Sequence, residues 1–246
     1  MGFAVQSGRI PFNPADVLRA RKALPPQTRQ GVVRALDPVE VETIRTALLT
    51  RKTPNGLRDA TLVSLMAYAG LRPEEALALQ WEQIDAGSIS VVQANVNGRF
   101  GPTKTGKPRT VRPLISPLVD DLSLWRKASG SATRRALLFP DAHGNLWPEQ
   151  TYANWRSRVF NRVAPDDASP YSCRHGFASL LIREGKPLAE VSRLMGNSPT
   201  MTAQHYTHVM ERYENQPPQP IEALVSSARS VRKVSDAGSE TPPTAT

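Results

Sequence analysis

The chain has 246 residues, with 31 Lys and Arg against 22 Asp and Glu, a net charge of +9 and a single Cys. One thiol excludes an internal disulfide framework and a Cys-based zinc site, and no apolar run reaches the roughly 18 residues a membrane helix needs. Met1 to Pro11 lacks the apolar stretch of a secretory signal, so composition predicts a soluble, cytoplasmic protein whose basic excess hints at a polyanionic partner. Residues 1–36 carry six basic side chains and one acid, broken by Pro11, Pro14, Pro25 and Pro26. They read as a basic connector. Asp37-Pro38-Val39-Glu40 combines an N-cap, a Pro at the first helical position and an acid at N3, which opens a helix to about Leu49. A second helix is expected from about Leu57 to Ala69, ended by Gly70, and a third from Pro73 to Leu79. Ser88–Val92 and Thr110–Leu114 are strand-like, joined by a turn-rich link holding Gly98, Gly101, Pro102, Gly106 and Pro108. Further helices are expected at about Pro117–Ala128, Pro148–Val163, Ser172–Glu184 and Pro187–Met195. A short helix at Thr200–Tyr206 precedes Thr207–Tyr213. The expected fold is mainly α with a small antiparallel β-sheet. Residues 214–246, rich in Pro, Ser and Thr, are expected to stay largely disordered beyond a short helix near Ile221–Arg229.

Four groups of residues carry chemistry. Arg72 stands between two helices, with Glu75 one turn on to hold its guanidinium; alone, this pair is equally a surface ion pair. The link Gly98–Arg112 holds Arg99, Lys104, Lys107, Arg109 and Arg112 and no acid, which suits phosphate contact or, alternatively, a strand edge blunted by charge. Tyr171-Ser172-Cys173-Arg174-His175 puts an Arg in a first helical turn, where the helix dipole disfavours it unless an anion is bound. Gly196-Asn197-Ser198 leads to Tyr206-Thr207-His208.

In this order the four groups resemble the tyrosine recombinase, or phage integrase, family, from about Ala35 to Met210. The boxes stand here as Ala69-Gly70-Leu71-Arg72-Pro73-Glu74-Glu75, Thr103-Lys104-Thr105-Gly106-Lys107-Pro108-Arg109, Tyr171 to His175, and Gly196-Asn197-Ser198 with Tyr206-Thr207-His208. The resemblance implies a catalytic domain at 37–213, cutting and rejoining duplex DNA through a 3′-phosphotyrosyl intermediate with neither metal nor ATP. Tyr206 would be the nucleophile. Arg72 and Arg174 would clamp the non-bridging phosphate oxygens, and Lys104 would protonate the leaving oxygen. Tyr171 and Asn197 would hydrogen-bond phosphate, while Glu75, His175 and His208 would support the site, His175 by orienting it rather than by moving protons. Arg99, Lys107, Arg109 and Arg112 would meet the DNA backbone. Protomers would act as a tetramer on synapsed sites and be monomeric off DNA, with Glu211–Arg229 docking on a neighbour.

Two positions depart from the family pattern. Tyr171 stands where His or Lys is usual, and Asn197 where His or Trp is usual. The family also places a core-binding domain ahead of the catalytic one, and residues 1–36 resemble the end of that domain, so the chain reads as clipped there. These departures keep a rival open, a DNA-binding remnant without turnover. A helical transcription regulator is a further rival, but it leaves Lys104 and the paired arginines unexplained.

Overall fold

A computed structural model describes residues 34–237 except 52, 54, 86, 131 and 132, and backbone alone at 232–237. The expectations for residues 1–33 and 238–246 lie outside the described residues. No described helix is long and apolar enough to cross a membrane.

Nine α-helices and five short strands follow one another among the described residues. Helix α1 (Pro38–Leu49) starts as its sequence dictates: Asp37 accepts from the Glu40 N–H, and the Glu40 carboxylate accepts from the Asp37 N–H. Helix α2 (Gly56–Tyr68) is buried on nearly every side from Asp59 onward. A helix apolar all round belongs at the centre of a fold, and α2 packs against α1, α4 (Ser116–Ser129) and α6 (Pro170–Arg183). Gly70, at φ +63°, ends this stretch. A Cβ there would lie 2.2 Å from the Phe177 ring, so glycine is required for both conformation and packing. The chain then turns into the five-residue α3 (Pro73–Leu77), capped at Arg72.

The expected hairpin partners pair: β2 (Ser88–Val91) runs antiparallel to β5 (Arg109–Val111), with Ile89 opposite Val111. Strand β1 (Ile84–Asp85) adds an edge. The link between them is more ordered than its glycines and prolines suggest. Strands β3 (Ala94–Val96) and β4 (Arg99–Gly101) form a separate hairpin across Asn97-Gly98, both at positive φ. Asn-Gly with both residues at positive φ is the two-residue turn that matches strand twist.

Three expectations on the C-terminal side need correction. The stretch 148–163 is not one helix but α5 (Glu149–Arg158) followed by a 3-10 turn at Phe160–Arg162. Beyond α7 (Leu188–Met195), Thr200–Tyr206 and Thr207–Tyr213 are a single helix, α8 (Pro199–Tyr213), capped by the Ser198 hydroxyl accepting from the Met201 N–H. The short helix expected near Ile221–Arg229 is helix α9 and runs further, over Ile221–Ala237. It buries Ile221, Val225 and Ala228 and lies against α1. Apolar residues at i, i+4 and i+7 give α9 the stripe that a solvated tail lacks. Arg229 fastens it, donating to Glu42 Oε1 at 3.0 Å, Asp121 Oδ2 at 2.6 Å and the Pro117 carbonyl at 2.9 Å. At the other end, Leu36 is buried and its N–H donates to the Ser172 carbonyl at 3.1 Å. The packed core therefore includes Leu36, one residue ahead of the boundary expected at 37.

Candidate active site

Arg72, the first site residue in the chain, is held by its own helix start. Its N–H donates to Glu75 Oε2 at 2.8 Å and its Nη1 to Glu75 Oε1 at 2.9 Å. Its Nη2 donates to Asn197 Oδ1 at 2.8 Å. Arg174 arrives on α6 and is 3% exposed. It donates to the carbonyls of Gly70 and Met195, and through Nη2 to Asn197 Oδ1 at 3.2 Å. Two guanidiniums thus converge on one amide oxygen. An amide offers one acceptor and one donor end, and only the oxygen fits between two cations.

A third guanidinium completes the cluster. Arg109 on β5 donates to both carboxylate oxygens of Glu75, at 2.8 and 2.6 Å, and to the Leu194 carbonyl at 3.0 Å. Its side chain is only 6% exposed. The expectation that Arg109 meets the DNA backbone does not fit this placement, because every guanidinium nitrogen is turned inward. Strand alternation is the reason: Arg109 shares a face with buried Val111. Gly196, at φ +61°, lets Arg109 pass, since a Cβ there would lie 3.0 Å from its side chain.

The electrostatics are lopsided. Burial alone would raise the Glu75 pKa, but the hydrogen bonds and charge of Arg109, the Arg72 N–H and the charge of Arg174 outweigh it and hold the carboxyl at about 2. Arg174 is pushed down to about 9 by burial and then by the charge of Arg72, with Glu75 opposing. Three guanidiniums against one carboxylate leave a net +2 in a buried cluster. Unbalanced buried cations are costly unless an anion joins them.

Tyr206, on α8, sits beside this cluster and is 2% exposed. Its hydroxyl lies 2.5 Å from His175 Nδ1, one residue beyond Arg174. Burial lifts the Tyr206 pKa to about 12, against the pull of Arg174 and Arg72. Burial, with the charges of Arg174 and His205, lowers His175 to about 4, so its imidazole is neutral at pH 7.

The remaining expected residues stand outside this centre. Tyr171 is exposed and donates to both Glu74 oxygens, at 3.0 and 3.1 Å; burial of its hydroxyl and the Glu74 charge raise its pKa. Lys104 is exposed in the turn between β4 and β5, where the Gly106 N–H donates to the Thr103 carbonyl. Arg99, Lys107 and Arg112 are exposed, and so is His208, two residues past Tyr206 on the outer side of α8. Among the described residues, no group of three or more His, Cys, Asp or Glu is placed to hold a metal ion.

A model of the phage integrase family matches residues 34–212, the segment that builds this cluster. The chain belongs to the phage integrase family. Among its relatives, tyrosine recombinase XerC of Xylella fastidiosa (strain M23) is 30% identical over 212 residues, covering 85% of this chain and 66% of the relative. XerC of Xanthomonas campestris pv. campestris (strain B100) is 30% identical over 205 residues, covering 83% and 59%. The chain therefore spans less than two thirds of the length of these integrase-family relatives. Solved structures share the fold. The Tn1549 transposon integrase in complex with a circular intermediate DNA superposes with a TM-score of 0.62 at 20% identity, over 86% of this chain and 73% of that one. XerH bound to palindromic difH substrate gives 0.59 at 18%, over 78% and 54%.

Proposed function

We propose that this chain is the catalytic part of a site-specific DNA recombinase that breaks and rejoins duplex DNA through a phosphotyrosine. The observation that carries this reading is the buried +2 cluster, Arg72, Arg109 and Arg174 against Glu75, beside the hydroxyl of Tyr206. A phosphodiester brings the missing negative charge and gains more as its transition state spreads charge over the non-bridging oxygens. Arg72 and Arg174 would take those oxygens, displacing the amide oxygen of Asn197, whose Nδ2 would then serve as a donor. Tyr206 would attack phosphorus, the 5′ oxygen would leave with a proton from Lys104, and a 5′-hydroxyl of another strand would reverse the step. Bond energy is kept in the phosphotyrosyl link, so no nucleotide is consumed. Lys104 must swing in from its exposed turn, and Tyr171 must exchange Glu74 for phosphate to take part. Arg99, Lys107 and Arg112, all exposed, would contact the DNA backbone, while Arg109 would act by fixing Glu75.

The partner would be duplex DNA carrying paired sites, bound by four protomers. Helix α9 rests on its own chain, so docking of Glu211–Arg229 on a neighbour requires release of Arg229 from Glu42 and Asp121. A monodisperse monomer on synapsed DNA would remove the tetramer from this reading.

The rival, a remnant that binds DNA without cutting it, draws on Tyr171 being tied to Glu74 and on Asn197 filling the clamp. One assay divides the two. A binding site is selected from a random-sequence duplex pool, rebuilt as a nicked suicide duplex, and incubated with protein before denaturing electrophoresis. The recombinase reading expects a covalent adduct with the wild type and none with Tyr206→Phe. Tight binding without adduct supports the remnant.

A further inference from the structure

A tyrosine nucleophile must lose its proton as it attacks, and the sequence pattern leaves the acceptor unfilled, because Tyr171 stands where His or Lys is usual and Asn197 is no base. The structure offers one group in contact with that proton. We propose that His175 Nδ1 is the proton acceptor for Tyr206, a catalytic base rather than an orienting residue; this rests on Tyr206 being the nucleophile.

The geometry sets the direction of the bond. Among the described residues, the Tyr206 hydroxyl has no hydrogen-bond partner besides His175 Nδ1. Were Nδ1 protonated and donating, the buried phenolic O–H would have no acceptor, a cost of about 1–3 kcal/mol. Donation by Tyr206 to a bare Nδ1 satisfies both groups and leaves the ring proton on Nε2. The competing bases are badly placed. Tyr171 faces Glu74, His208 is exposed on the outer side of α8, and the His205 ring centre is 6.3 Å from that of Tyr206 with its Nδ1 buried and unpartnered. The charged and titratable groups around His175 are Arg174 on its own helix and His205 and Tyr206 on α8. Burial, and then the positive charge of Arg174, keep the imidazole neutral, and so able to accept, at any pH above about 4. An arriving phosphate offsets the Arg174 charge and makes the imidazolium easier to form.

In the balanced step, the Tyr206 oxygen forms a bond to phosphorus while its proton passes to His175 Nδ1. The bond from phosphorus to the leaving oxygen breaks, and its electron pair departs with that oxygen. In the reverse step His175 returns the proton to the phenolate as Tyr206 is released.

Thymidine 3′-(4-nitrophenyl phosphate) tests the attack alone, because 4-nitrophenolate leaves without a proton and the probe needs no recognition sequence. The rate of adduct formation on Tyr206 is followed by intact mass and peptide mapping. His175→Ala removes the ring, whereas His175→Asn keeps a hydrogen-bond acceptor near the Nδ1 position without a basic nitrogen. Both variants are expected to slow adduct formation at least about 100-fold at pH 7. Wild-type speed in His175→Asn, with His175→Ala slow, would reduce His175 to positioning and overturn the proposal while leaving the nucleophile intact. A wild type that forms no adduct, or forms it elsewhere, removes the nucleophile reading and the proposal with it. A ¹⁵N spectrum of the wild type needs no variant: His175 Nδ1 should resonate as an unprotonated acceptor at pH 7, and a protonated Nδ1 overturns the proposal.

Discussion

Two buried charge clusters lie among the described residues, and they differ in balance. In the first, Arg45 and Arg229 face Glu42 and Asp121, two cations against two anions. Tyr68 adds a donor to Glu42 at 2.5 Å, and Ser64 bridges Asp121 at 2.7 Å and Arg45 at 2.6 Å. This cluster ties α1, α2, α4 and α9 together and leaves no charge over. The second, around Arg72, Arg109 and Arg174, keeps a surplus of two positive charges and borrows an amide oxygen from Asn197. Both are largely buried, so burial does not separate structure from function here. The unpaid surplus does, since a closed network is complete while a surplus asks for a ligand.

The sharpest way to break this comparison is to remove one cation from each cluster. Arg174→Ala should lower strand cleavage about 1,000-fold, the loss typical of one donor to a developing oxyanion, with a small change in melting temperature. Arg45→Ala should instead cost about 3–5 kcal/mol of stability, because it strands buried carboxylates. Denaturant unfolding alongside the suicide-duplex assay reads both. If Arg174→Ala were the more destabilising, the surplus would be structural after all.

Acid titration gives the next largest effect. The Glu75 carboxyl is held at about 2, below its ordinary value, so its stabilisation is complete above pH 4.5 and is lost as pH falls through 2. The shift of roughly 2.5 units corresponds to about 3 kcal/mol. His175, lowered to about 4, likewise favours the folded state above pH 6.5 and ceases to as pH falls through 4. Stability should therefore fall in two waves, one between pH 6.5 and 4 that His175→Asn removes, and one below pH 4.5 that reflects Glu75. A flat curve between pH 7 and 4 in the wild type would contradict the His175 environment.

Inorganic phosphate should stabilise the wild type by about 2.7 kcal/mol at 100 times its dissociation constant, seen as a rise in melting temperature, and do so far less in Arg174→Ala. Equal stabilisation of both would place the phosphate elsewhere. The smallest effect belongs to the exposed basics. Arg112→Ala or Lys107→Ala should each reduce the salt dependence of DNA binding by roughly one unit of slope, whereas Arg109→Ala should act chiefly on cleavage through Glu75.

Several local features are legible directly. The Asp37 capping box, the stop at Gly70, the start of α3 at Pro73 and the β2–β5 pairing follow from side-chain spacing within a few residues. Asn97-Gly98 also carries its own hairpin signal, hidden among the other glycines and prolines of the link. The short helix expected near Ile221–Arg229 is present but longer, and Ile221, Val225 and Ala228 form its apolar stripe. Arg109 could have been placed inward by counting two residues back from Val111, but its basic neighbours on the link point to solvent.

The sequence by itself determined the family, the mainly helical fold and the set of residues that could do the chemistry, because short motifs and helix signals act over one or two turns. What it could not decide was which of those residues meet. Arg72 and Asn197 are 125 positions apart, Arg109 and Glu75 are 34, and Tyr206 and His175 are 31. No periodicity extends over such separations. Only the packing together of α3, β5, α6, α7 and α8 brought three guanidiniums to one carboxylate and set an imidazole against the tyrosine hydroxyl, because contact and charge balance belong to the assembled core.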